Sequence, residues 1–219
     1  MTSMIDAGTI QWRGRAIPAL LPGLEYDPER HAYKLNGISM PSVTTILLNL
    51  RGRTFYPANN SGANWGKSAH DHVYHYVKGM LDFKRLSDRM KPTIKGFQEG
   101  LDKLGVKIKV GALGEYLIYS KKFHFAGRFD FLFQVGDDDL LIDFKTGTPS
   151  EFESRLTGLQ LGGYAVALTE WKIVKPARLR LAELNVQPDG EIAIETYKPR
   201  EVMHAFLAYL TVCNYMKQI

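Results

Sequence analysis

The chain has 219 residues, 45% of them hydrophobic, and 28 Lys and Arg against 23 Asp and Glu give a net charge of +5. That length buries a full core as one domain, and the modest basic balance suits a polyanionic partner without requiring one. The single cysteine, Cys213, excludes internal disulfides and metal clusters built on several cysteines, and no apolar run approaches the ~18 residues of a membrane span, so the expectation is a cytoplasmic protein in a reducing compartment with no membrane partner.

Residues 1–23 are rich in Gly and Pro without a clear period, which predicts an irregular N-terminal arm. Residues 24–219 are expected to form one domain in three parts. The runs Leu24–Tyr26, His31–Leu35 and Ile38–Met40, separated by Asp27-Pro28 and Asn36-Gly37, predict a small β-meander over 24–41. A helical part over 42–104 starts with Ser42 as N-cap of a helix over 43–50. It crosses a basic, aromatic loop over 51–62 and continues in helices over 65–80 and 87–104, with Pro92 tolerated in a first turn. After Gly105 the apolar period changes, opening a sheet part over 105–219. Strands are predicted over 106–110, 113–119, 125–135 and 140–145, the last two joined at Gly136-Asp137-Asp138. Ser150 caps a helix over 152–171; strands over 177–186 and 192–197 flank Pro188-Asp189-Gly190, and a helix over 199–216 closes the chain. The sum is an α/β fold: a central mixed β-sheet flanked by helices.

The chemistry concentrates on the strands over 125–135 and 140–145. They carry Asp130, then Asp143-Phe144-Lys145, among Phe129, Phe131, Leu132, Phe133, Leu141 and Ile142. Ions in such apolar surroundings need partners, because isolated burial of a charge costs many kcal/mol. Alternation puts Asp143 and Lys145 on one sheet face and Phe144 in the core on the other, and the hairpin brings Asp130 near Asp143. Two carboxylates beside an amine suit phosphodiester hydrolysis, the oxygens holding Mg²⁺ or Mn²⁺ and the lysine orienting water. The plainer alternative is a buried Asp-Lys pair near a hairpin with one solvated Asp.

Other residues add weight. Gln160 and Tyr164 lie four apart on the next helix, so one face offers both to the site; ordinary core packing of that face is the competing reading. Gly162 and Gly163 weaken that helix by ~1 kcal/mol each relative to Ala, which implies close approach to the sheet. His70 is a candidate metal or phosphate ligand, though His72 and His75 share its helix, and Glu115 is either a third carboxylate or a solvated residue. Arg51 and Arg53, with Phe55, Tyr56 and Trp65 nearby, suit phosphate contacts and base stacking on single strands. Gly62-Ala63-Asn64-Trp65-Gly66-Lys67-Ser68 falls one residue short of a phosphate-binding P-loop and follows no buried strand, which argues against an ATPase.

Gly127-Arg128-Phe129-Asp130, twelve intervening residues, Asp143-Phe144-Lys145 and then Gln160-x-x-x-Tyr164 resemble the motifs of the PD-(D/E)XK nuclease superfamily, in particular its RecB-like exonuclease branch. Gly66-x-x-x-His70 and Glu115 match the branch's upstream histidine and glutamate. Pro41 to Leu47 resembles a segment of its phage and mitochondrial single-domain members, so the likeness covers about residues 31–164. The resemblance implies a restriction-endonuclease-like core and a Mg²⁺- or Mn²⁺-dependent DNA exonuclease of recombination, repair or replication. Its implied metal ligands are Asp130, Asp143, Glu115, His70 and the main-chain carbonyl of Phe144. Lys145 would position the attacking water, and Gln160 and Tyr164 would hold substrate. Implied partners are single-stranded DNA or duplex ends, and a recombination or single-strand-binding protein. Phe129 stands where the family's Pro precedes the first Asp, and the second acid is Asp, both common in this branch; the lone cysteine excludes its iron-sulfur subgroup. The alternative is a catalytically inactive single-stranded nucleic-acid-binding module on the same fold.

Overall fold

The computed structural model describes residues 8–48, 50, 60–108 and 111–216. Its first element corrects the expected irregular arm. Strands β1 (Thr9–Trp12) and β2 (Arg15–Pro18) pair antiparallel around Arg13-Gly14. Both turn residues take positive φ, 49° and 71°, as a two-residue hairpin turn demands. Docking holds the hairpin in place: Trp12, Ile17 and Leu21 are buried. Arg13 Nε donates to Asp139 Oδ1 at 2.6 Å, and its Nη1 reaches the Gly136 carbonyl at 3.1 Å. Arg-Gly is a weak turn signal next to Asn-Gly or Asp-Gly, and the anchoring partners lie more than a hundred residues away, so no local pattern announces the element.

The meander forms as expected from β3 (Leu24–Asp27), β4 (Ala32–Leu35) and β5 (Ile38–Met40), in the order β3-β4-β5. Pro41 and Ser42 then run beside the distant strand residue Ala126, whose N–H donates to the Pro41 carbonyl at 3.0 Å. Ser42 caps α1 (Val43–Leu47), its Oγ accepting the Thr45 N–H at 2.9 Å. Helix α2 (Asn60–Val77) begins earlier than the expected residue 65. In α3 (Lys91–Lys103), Pro92 sits in the first turn, where its missing N–H costs nothing.

The strand expected over 106–110 does not appear at its described residues, 106–108. Helix α3 is capped at Leu104, Gly105 follows with φ +78°, and the Val106 N–H turns back to the Leu101 carbonyl at 2.9 Å. That donor belongs to the helix C-cap and cannot join a strand ladder. Val106 and Ile108 instead pack against the core under α3, which explains their apolar alternation.

The central sheet has the order β10-β9-β8-β7-β6, from β6 (Ala112–Ser120), β7 (Phe125–Val135), β8 (Asp138–Thr146), β9 (Leu179–Val186) and β10 (Ile192–Tyr197). Only β8 and β9 are parallel, so the sheet is mixed. Their crossover is α4 (Glu151–Glu170), which starts at a capping box between Ser150 and Glu153. Helix α5 (Pro199–Met216) closes the fold. One core lies between the sheet and α1, α4 and α5, and a second lies between the opposite face and α2 and α3.

Gly162 and Gly163 do not serve the sheet, as the sequence implied, but α5. A Cβ on Gly162 would sit 2.4 Å from the Val202 carbonyl oxygen, and one on Gly163 would sit 3.0 Å from the Phe206 ring. The two helices touch backbone to backbone there, which only glycine permits.

Candidate metal centre and cleft

The site opens where two strands part. The β7–β8 ladder ends at Phe131 paired with Ile142, and the same register continued one step would set Asp130 opposite Asp143. Beyond that point β7 stays with β6 and β8 with β9. Asp130 fills the fork: its Oδ2 accepts the Phe144 N–H at 2.8 Å, replacing a ladder bond that the splayed strands cannot make.

A second irregularity faces it across β6. Glu115 has φ +52°, a left-handed conformation rare for a non-glycine inside a strand. Gly114 pairs with Phe131 and Tyr116 with Phe129, so Glu115 stands opposite Asp130 at a step where the ladder makes no pair. The inward side chains change sides there. Phe125 and Phe129 pack in the core with α4 and α5, whereas Phe131 and Phe133, of the same parity, pack with α2 and α3. Strict alternation would put all four on one face, so the break lies at Asp130.

Helix α2 supplies His70, whose Nδ1 lies 3.8 Å from Asp130 Oδ2 and whose ring packs 4.9 Å from the Phe144 ring. His70, Glu115 and Asp130 each present one donor atom, and the three lie within 4.8 Å of one another. One imidazole nitrogen and two carboxylate oxygens so arranged fit a divalent cation that takes oxygen and nitrogen donors. The site thus gathers three of the five expected ligands directly. The fourth, Asp143, is not in that cluster. The fifth, Phe144, lies in the β8–β9 ladder opposite Leu184, with its N–H bound to Asp130.

Asp143 is held from two sides. Gln160 Nε2 donates to its Oδ1 at 2.8 Å, and Lys145 Nζ lies 2.6 Å from its Oδ2. The lysine contact is ionic rather than directed, because Oδ2, fully buried, has no hydrogen-bond partner of good geometry. A buried carboxylate oxygen left in that state retains coordinating capacity. Burial pushes the Asp143 carboxyl up to about 6, with Lys145 pulling it down and Asp130 pushing it further up. Burial alone would lower the Lys145 amine, but Asp143 and Asp130 outweigh it and hold the amine above its ordinary value, a cation at neutral pH. Burial, then Asp130, raises Glu115, against Arg128 and His70, which lower it.

Tyr164 completes this wall, its hydroxyl 3.3 Å from Gln160 Nε2. Its ring lies over Gly127, where a Cβ would fall 2.6 Å from Tyr164 Cε1. The glycine at the start of the Gly127–Asp130 motif is there to let that ring lie on the strand. Around His70, Glu115, Asp130, Gln160 and Tyr164 opens a cleft of about 780 Å³ between α2, α4 and the meander, within the usual range for ligand sites; Lys145 lines a neighbouring hollow with Thr146, Glu183 and Asn185.

The sequence matches the family model of the PD-(D/E)XK nuclease superfamily over residues 52–214. The chain belongs to that superfamily. Among solved structures, this PD-(D/E)XK protein is similar to a candidate exonuclease from Eubacterium rectale, at 13% identity and TM-score 0.40 over 68% of this chain and 67% of that one. It is also similar to an alkaline exonuclease from Laribacter hongkongensis, at 14% identity and TM-score 0.27 over 69% and 83%. No curated protein matches its sequence.

Within this PD-(D/E)XK site, Asp130, Asp143, Lys145, Glu115, His70, Gln160 and Tyr164 converge on one fork in the sheet. Arg51 and Arg53 lie outside the described residues. Sequence reasoning missed four residues in or beside the cleft. Arg128 joins the site by an ion pair, its Nε 2.7 Å from Glu115 Oε2; its place inside the Gly127–Asp130 motif was the available signal. Tyr26 and His31 reach the cleft from the meander, where nothing local marks them. Glu183, buried on β9 beside Asp143, takes hydrogen bonds from Asn185 Nδ2 at 2.5 Å and the Tyr197 hydroxyl at 2.7 Å.

Proposed function

We propose that this protein is a metal-dependent deoxyribonuclease, an exonuclease of the RecB-like branch, acting in DNA recombination, repair or replication. The observation that carries the reading is the convergence of His70, Glu115 and Asp130 within 4.8 Å beside the buried Asp143 and its half-buried partner Lys145. A fold that merely bound DNA would gain nothing from burying acids in a cleft meant for a polyanion. Like charges so close raise each other's energy until a cation joins them.

His70, Glu115 and Asp130 would hold Mg²⁺ or Mn²⁺, with Asp143 Oδ2 as a further donor. A bound divalent ion supplies Lewis acidity, neutralises phosphate charge and lowers the pKa of water. The chain's residues do the rest. Asp143 fixes the Lys145 ammonium at the fork, where it aligns the attacking water and faces the negative charge that builds on the phosphate. Gln160 clamps Asp143 from α4 and, with Tyr164, closes the wall against which substrate lies. Burial holds the Tyr164 phenol well above its ordinary pKa, so it serves as a neutral donor. Asp130 anchors the Phe144 backbone, so the two acidic strands keep their spacing as the ion comes and goes.

The test incubates end-labelled single-stranded and duplex DNA with Mg²⁺ or Mn²⁺, beside EDTA controls and Lys145→Ala. Stepwise shortening that needs metal and falls at least ~100-fold in the variant is expected, the scale of losing one transition-state donor. Absence of metal-dependent degradation on every substrate would leave the inactive binding module as the better account.

A further inference from the structure

We infer that Tyr26, His31 and Arg128 form a subsite for an unpaired nucleotide next to the linkage being cut, which makes single-stranded DNA the substrate. The inference rests on the nuclease reading above and names the substrate of that same site. Arg128 precedes Asp130 by two residues on β7, and its Nε lies 2.7 Å from Glu115 Oε2, so its guanidinium borders the metal cluster. Its Nε is spent on Glu115, but the side chain is 36% exposed and lines the cleft, and a guanidinium carries further donors beyond Nε. Those donors match a phosphate.

The rings answer the other half of a nucleotide. The Arg128 guanidinium carbon lies over the Tyr26 ring, 5.6 Å from its centre, a cation–π contact that joins the two side chains. His31 meets Tyr26 edge to face, with centroids 5.7 Å apart. Buried Tyr33 backs Tyr26 at 4.8 Å and fixes its plane. His31 is exposed and held at φ +52°, a conformation that histidine adopts at a cost and that the turn itself would assign more cheaply to glycine. A phosphate-binding cation joined to aromatic rings at the mouth of a cleft is the composition that single-stranded nucleic acid selects. Within a duplex each base is stacked between neighbours, so its faces are closed to these rings. Only an unpaired base can use them.

The test uses the full chain in EDTA, so that cleavage does not intervene. Fluorescence anisotropy compares a labelled oligothymidylate, a wholly abasic strand of equal length and a blunt duplex. Loss of base stacking at ~1–3 kcal/mol per base predicts that the protein holds the oligothymidylate about tenfold tighter than the abasic strand. Tyr26→Ala removes that preference and Tyr26→Phe keeps it, which separates a stacking role from a folding defect. Equal affinity of the unaltered protein for the two strands overturns the inference, as does a preference that survives Tyr26→Ala. Duplex bound as tightly as the single strand overturns its single-strand part. Metal-dependent cleavage, assayed separately with Mn²⁺, keeps the two claims apart. Base preference without cleavage would sink the nuclease reading, and cleavage without base preference would sink the subsite alone.

Discussion

Asp143 shows how one residue sets the chemistry of the fork and what that costs the fold. Its carboxyl is raised to about 6 by burial, so the native state binds the proton more tightly than the unfolded chain, where an aspartate titrates near ~3.9. A carboxyl raised in this way favours the folded state most below the unfolded value, and that contribution drains away as pH climbs through about 6. In EDTA, the stability of Asp143→Asn relative to the unaltered protein should therefore grow between pH 4 and pH 6, by on the order of 2 kcal/mol, and level off above. Urea unfolding at several pH values measures it, and a pH-independent difference would mean that Asp143 is not a buried acid. Glu115 stores strain of another kind. Its left-handed backbone costs ~1 kcal/mol that glycine would not pay, so Glu115→Gly should raise the metal-free melting temperature slightly while abolishing metal-dependent cleavage. A variant that melts lower would show that the Arg128 ion pair outweighs the strain.

Elements position these residues through contacts that local pattern only partly reveals. The strands over 125–135 and 140–145, the Ser150 cap and the closing hairpin and helix all stand where the apolar periods put them, because each buries a face whose period is written in its own residues. The strand expected over 106–110 failed because a helix cap and core packing imitate alternation. The β1–β2 hairpin was invisible because its stability comes from Arg13 and Trp12 docking on distant partners. The α4–α5 contact tests how far packing overrides propensity. Gly162→Ala gains ~1 kcal/mol of helix propensity, yet its Cβ would meet the Val202 carbonyl at 2.4 Å. A net destabilisation of about 1–3 kcal/mol is expected in chemical unfolding; a stabilised variant would mean that α5 moves away freely.

The whole molecule is a sheet with a core on each face and one fork, with a small meander roofing the fork's mouth. If the cluster at the fork holds a divalent ion, saturating Mn²⁺ should raise the melting temperature by roughly 5–10 °C, since a ligand at ~100 times its Kd contributes about 2.7 kcal/mol and a chain of this size shifts 2–4 °C per kcal/mol. Asp130→Asn keeps an acceptor for the Phe144 N–H but removes a charge from the cluster, so most of that shift should vanish. A shift of full size in the variant would place the ion elsewhere. Among the described residues no helix is long and apolar enough to cross a membrane.

The sequence by itself determined the alternating strands, the capped helices and the acid-acid-lysine order along them, because each depends on periods and spacings within one or two neighbouring elements. It also carried the family, since the motif residues keep fixed distances along the chain. Only the tertiary structure decided which donors meet: that Glu115 sits opposite Asp130 on a strained backbone, that Asp143 stands outside the tight cluster with Lys145 and Gln160, and that Arg128 and the meander's rings line the same cleft. Those outcomes follow from where strands splay and how helices dock, which are set by contacts between residues far apart in the chain and leave no periodic trace in it.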